Sequence, residues 1–167
     1  MPGLIEGHNH LGLAVDSFSW FNTHDVFYIA AAGAAEAEKL LMSGWTTIRD
    51  IGGPAMGLHR AVEDGRIRGP RIYGSGPVIG QTSGHGDFRE LNDPHPNTID
   101  YTHPFYQYLS FIADGPAEVQ RAVREVLRRG AAQVKVMAGG GVSSSIDPLY
   151  TVQYLSLIHI SEPTRPY

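Results

Sequence analysis

The chain has no cysteine. Disulfides and thiolate metal ligands are therefore excluded, and any transition-metal site must be built from imidazole and oxygen ligands. It also has no basic run. Its 13 Lys and Arg residues stand against 17 Asp and Glu, a formal net charge of −4, which argues against a nucleic-acid partner. No apolar stretch reaches the roughly 18 residues a membrane-crossing helix needs. No basic segment followed by an apolar one opens the chain, so no membrane or secretory segment is expected and a cytoplasmic location fits. What remains is globular composition, 42% hydrophobic and 18% charged over 167 residues, enough for one domain. For chemistry it holds eight histidines.

Residues 4–8 read as a short buried strand after a Pro2-Gly3 turn. Residues 25–43, rich in Ala, Glu, Lys and Leu, read as a helix, with Gly44 after its end. Residues 46–50 form a β-branched strand, turned by Gly52-Gly53. Residues 55–64 form a second helix stopped at Gly65, and residues 71–73 a third strand. An irregular segment, residues 80–114, carries Pro94, Pro96, Pro104 and a run of aromatics, Tyr101, Phe105, Tyr106, Tyr108 and Phe111, suited to a loop that lines a pocket. Residues 116–129 form a third helix, with Pro at its start and Gly130 after it. The stretch "AQVKVMAGGG" reads as a fourth strand entering a glycine loop. Strand and helix alternate throughout, so the fold class is α/β with parallel strands in βαβ units. A doubly wound sheet and a (β/α)8 barrel both begin this way. His8, Asp50 and the residues after Tyr73 and Lys135 all fall at strand C-termini, the catalytic face of a barrel. The expectation is therefore a partial barrel, about the first four βα units.

His8 and His10 lie two apart, so on a strand they share a face, with Asn9 pointing away. Two neutral imidazoles so placed can bind one Zn²⁺ or a similar ion. An exposed loop pair would look the same in sequence. Lys135 lies between Val134 and Val136. If the valines face a covering helix, the lysine faces the barrel interior, where an ammonium loses its charge, finds a partner or snorkels out. These fates stay open on the residues alone.

Five segments in order, "PGLIEGHNHLG", "SGWTTIRDIGG", "GPRIYGSG", "TSGHGD" and "VKVMAGGGVSSSIDP", resemble the amidohydrolase superfamily. Within it they are similar to the imidazolonepropionase-like and Xaa-Pro dipeptidase-like subgroup. The resemblance implies that His8 and His10 ligate one of two divalent ions, Zn²⁺ above all. It implies that Lys135 takes up CO₂ as a carbamate bridging both ions. It further implies metal-activated hydroxide attacking a C–N bond, with a dipeptide or small cyclic amide as substrate; homo-oligomeric assembly stays open. His85, in "TSGHGD", would touch substrate or be an ordinary loop histidine. Asp87 is a weaker candidate. Asp50 would orient a ligand histidine from behind or cap the following turn. His95 and His103 have no ligand spacing, and Gly139-Gly140-Gly141 lacks the Lys-Ser/Thr of a phosphate loop. A mononuclear deaminase-like enzyme, with Lys135 structural, and a non-catalytic barrel module are the rival readings.

A full barrel needs about 250 residues. By the resemblance, the ligand histidines of the fifth and sixth strands and the general-base aspartate of the eighth are not in this chain, so no catalytic base is expected within it. "LSLIHISEPTR", residues 155–165, matches at every position one reading frame of a transposase-type sequencing adapter. Residues 1–154 are thus expected to be the partial barrel and residues 155–167 a non-native tail, in which His159 carries no meaning. Such a piece would be inactive and prone to associate through exposed strand edges.

Overall fold

The computed structural model describes residues 2–13, 23–89, 92–93, 108–142 and 147–154. The expected tail and residues 90–91 and 94–107 of the aromatic, proline-rich segment, His95 and His103 included, lie outside the described residues.

Three strands, β1 (Leu4–Asn9), β2 (Trp45–Asp50) and β3 (Arg71–Gly74), make a parallel sheet in that order. The register sets Asn9 opposite Asp50 and Asp50 opposite Gly74, so all three strands finish level. The pairing runs one step further: Ile51 N–H donates to Asn9 O and Ser75 N–H to Asp50 O, both at 2.9 Å. The residues just past the strand ends are thus gathered in one place.

Helix α1 (Val26–Met42) starts where the Asp25 carboxylate accepts from the Phe27 and Tyr28 amides, satisfying two donors that have no partner inside the helix. It ends before Gly44, whose φ of +96° suits glycine. Helix α2 (Ala55–Glu63) packs against it so closely that a Cβ at Gly33 would stand 2.7 Å from Leu58 Cδ1. Between helices and sheet lies one core of Leu11, Ala37, Ile48, Ala55, Leu58 and Ile72.

After β3 the chain breaks at Ser75-Gly76-Pro77 and resumes as β4 (Val78–Gly80), which pairs in parallel with β5 (Ser110–Ile112). Helix α3 (Pro116–Arg128) covers this second sheet. Val119 and Ala122 from the helix meet Ile79, Ala113 and Tyr154 in a second core, with Val134 and Val136 packed on it. Among the described residues no helix is long and apolar enough to cross a membrane.

Three expectations need correction. Strand β1 is not buried: Leu4 is 43% and Ile5 72% exposed. Among the described residues it pairs with β2 alone, and the apolar character of a strand does not bury it without a layer on each face. Beside an antiparallel bridge from Gly139 to Val152, the expected fourth strand is one isolated parallel bridge, Val136 to Ile79. It is held by Ile79 N–H to Lys135 O at 2.8 Å and Met137 N–H to Ile79 O at 2.9 Å. The segment expected to be irregular contains β4's Gly80 and all of β5, because Val78, Ile79 and Ile112 find buried partners that a reading of turn residues does not reveal.

Candidate functional site

His8 and His10 stand at the end of β1. Their ring centroids are 5.5 Å apart with planes at 67°, an edge-to-face pair. His8 is exposed and its backbone N–H donates to Glu6 Oε1. His10 is half-buried, and its Nδ1 lies 3.0 Å from the carbonyl oxygen of Gly52. A carbonyl only accepts, so Nδ1 carries the hydrogen and Nε2 the free lone pair. Burial lowers the pKa of His10. The Gly52 bond opposes that, and the charges of His8 and Lys135 lower it again. The imidazole is therefore held in the neutral form that a metal ligand requires.

Lys135 enters from the other half of the fold. Val134 and Val136 pack on the core beneath α3, so the residue between them points to the opposite side. A Cβ at Gly52 would meet both the His10 ring and Val78, and Ile79, next to Val78, donates to Lys135 O, so the end of β1 and the bridge segment beside β4 border one region. Among the described residues no three His, Asp or Glu side chains are grouped to hold a metal by themselves. The residues expected as donors are two imidazoles and a lysine.

Asp50, at the end of β2, is fully buried. Its carboxylate accepts from Leu11 N–H at 2.6 Å and Gly52 N–H at 3.2 Å. Burial raises its pKa to about 7, against the pull of those two amides. It caps its own turn through Gly52, and through Leu11 it also holds the chain that leaves β1. The carbonyl of Asp50 takes a bond from Gln133 Nε2, which donates as well to Tyr73 O and so ties β2 and β3 to the bridge segment.

His85 is in different company. Its Nδ1 is 3.4 Å from Asp147 Oδ2, and its ring lies on Gly141, where any Cβ would collide with it. Asp147 also accepts from Gly141 N–H at 3.0 Å and from Gln153 Nε2 at 3.4 Å. Asp87 is engaged by Arg89, whose Nε donates at 2.7 Å, and by Ser83 N–H at 2.7 Å. Burial would raise its pKa, but the guanidinium and the amide outweigh burial and hold it low. Sequence reasoning missed Asp147, Gln133 and Gln153. The Asp147-Pro148 dipeptide was a turn signal that pointed at the first; the two glutamines had no local signal. A separate apolar cavity of about 240 Å³ sits beside the 3₁₀ turn of Leu11–Leu13, lined by Ile29, Pro54, Met56 and Leu58, with none of the candidate residues in its wall.

The geometry has a known setting. The amidohydrolase family model matches residues 1–155, and the chain belongs to that family. Ochratoxinase of Aspergillus niger is 38% identical over 155 residues, 88% of this chain and 32% of the relative. The crystal structure of a prolidase complexed with N-methylphosphonate-L-proline superposes with a TM-score of 0.83 at 35% identity, over 95% of this chain and 38% of that one. A Xaa-Pro dipeptidase with methionine bound in its active site gives 0.73 at 29% identity, over 94% and 38%. The chain thus spans about a third of the length of the curated relatives it matches. Its parallel α/β architecture is part of an amidohydrolase TIM barrel, and its homologues are hydrolases acting on C–N bonds.

Proposed function

We propose that the whole protein is a metal-dependent hydrolase of amide or peptide C–N bonds. In this reading His8 and His10 hold one of two divalent ions, Zn²⁺ foremost, and Lys135, as a carbamate, bridges both. The observation that carries the reading is two imidazoles in ring contact at the end of β1, with Lys135 on the segment that pairs with β4 beside them. The donor chemistry fits, because His10 is held neutral with Nε2 free. When bound, such ions lower the pKa of bound water toward neutrality and polarise a carbonyl. The chain's own residues orient the ligands and shape the pocket. In this reading His85, whose Nδ1 lies 3.4 Å from Asp147 Oδ2, would touch the substrate. A peptide-like substrate, such as an Xaa-Pro dipeptide, fits the relatives whose structures hold a phosphonate-proline or methionine; a cyclic amide is the alternative.

The remaining ligands and the general base would come from residues that this chain does not contain, so these 167 residues are inactive by themselves. We also propose that residues 155–167 are non-native; the family match ends at residue 155, beside the point where the adapter-like string begins. Sequencing the source DNA across the Tyr154 codon tests this, since genomic coding of the tail would overturn it.

The functional reading is tested on the complete gene product by metal analysis. Two ions per chain, falling on Lys135→Ala and on His8→Asn, support it. One ion per chain, unmoved by Lys135→Ala, would establish the mononuclear alternative instead.

A further inference from the structure

Asp50 does more than a turn cap needs. A cap would account for its bond to Gly52 N–H, two residues on. It would not account for the shorter bond, 2.6 Å, to Leu11, the residue that follows His10. One buried carboxylate therefore grips both attachments of the His10 side chain. On one side it holds the peptide that leaves His10. On the other it holds the residue whose carbonyl receives the ring nitrogen. Gly52 suits this close approach. Its φ is +149°, and a Cβ there would stand 2.7 Å from Val78 Cγ1 and 3.4 Å from the His10 ring.

We propose that Asp50 is the positioning residue of the candidate metal centre: by fixing Leu11 N–H and the Gly52 peptide it keeps the His10 hydrogen on Nδ1 and presents Nε2 to the cation. The cation rests on the reading given above, whereas the tautomer belongs to the metal-free chain. The chemistry calls for a carboxylate. Both oxygens accept from backbone N–H groups, and an amide in the same place would aim its NH₂ at one of them. A ring free of its carbonyl partner exchanges its hydrogen between nitrogens, and the population with hydrogen on Nε2 then offers the wrong atom. Groups of this kind behind metal ligands change metal affinity by about 10- to 100-fold.

The test is long-range ¹H–¹⁵N spectroscopy of histidine-labelled, metal-free chain, in solution or as a hydrated solid. The His10 signals are assigned by their loss in His10→Asn. The expected result is a single Nδ1–H tautomer for His10 in the unaltered chain. Asp50→Asn should convert it to a mixture while the amide spectrum keeps its dispersion. An Nε2–H tautomer in the unaltered chain overturns the proposal whatever the variant does. So does a folded Asp50→Asn chain with its Nδ1–H tautomer intact. Zinc titration is read separately, on the complete gene product and its Asp50→Asn variant. Zinc binding that falls about tenfold or more in Asp50→Asn supports the link to the metal. No zinc binding by the complete gene product would remove the metal reading and leave the tautomer result standing.

Discussion

The Asp50 carboxylate and the Leu11 amide meet at 2.6 Å across 39 residues of sequence. This bond locks the end of β2 to the chain leaving β1, and the residue between that chain and the strand is His10. The mouth of the partial barrel is thus organised by one buried carboxyl group, whose charge depends on pH.

That charge makes stability depend on pH. The Asp50 carboxyl has an ordinary value of 3.8 and is raised to about 7 in the folded chain, chiefly by burial. A raised carboxyl holds its proton when the unfolded chain has already lost it, so folding is favoured at low pH. The metal-free chain should lose stability as pH rises from about 4 to about 7. Urea unfolding midpoints across that interval measure the slope, and Asp50→Asn should flatten it. A slope unchanged in the variant would assign the dependence to other groups.

Two isoleucines separate burial from hydrophobicity. Ile48 of β2 is wholly buried in the first core, whereas Ile5 of β1 is 72% exposed. Ile48→Ala should cost about 2–5 kcal/mol. Ile5→Ala should fall within about 0.5 kcal/mol of no change. Denaturant titration of the two variants decides it. Equal losses would mean that β1 is covered in solution.

Gly52→Ala should be harmful despite adding one methyl group. The backbone there is in a region that side chains rarely adopt, and the new Cβ would press on Val78. Such strain costs about 1–3 kcal/mol. Thermal unfolding gives the loss, and a neutral result would show that the loop relaxes.

Tyr154 is buried and donates its hydroxyl to Ala113 O at 3.0 Å beneath α3. Tyr154→Phe should cost about 1–3 kcal/mol by leaving that carbonyl unpaired. Truncation after Tyr154 should leave the melting temperature unchanged, as a non-native tail requires. A truncation as damaging as Tyr154→Phe would show that residues 155–167 belong to the fold.

Much of the architecture was legible because periodicity and punctuation are local. The helix after Asp25 and the one after Gly115 were readable from caps and apolar spacing, and the observed ends differ by a residue. Strand β5 was not, since three residues, Ser110–Ile112, carry too short a pattern and owe their pairing to β4. Within the site, His8 and His10 declare themselves by spacing. Asp147 and Gln133 do not, because what they touch lies far away in sequence.

The sequence by itself determined the parallel α/β plan, the family, and the residue types available at the strand ends. Alternation, glycine and proline stops and motif order are properties of neighbours along the chain. Only the tertiary structure decided that β1 stands exposed, that the Lys135 segment pairs with β4, and that Asp50 holds Leu11 and Gly52 at once. Burial and hydrogen bonding depend on distances in space, and these are set when the level ends of β1 and β2 bring residues 10 and 50 together and β4 carries the segment of residue 135 alongside.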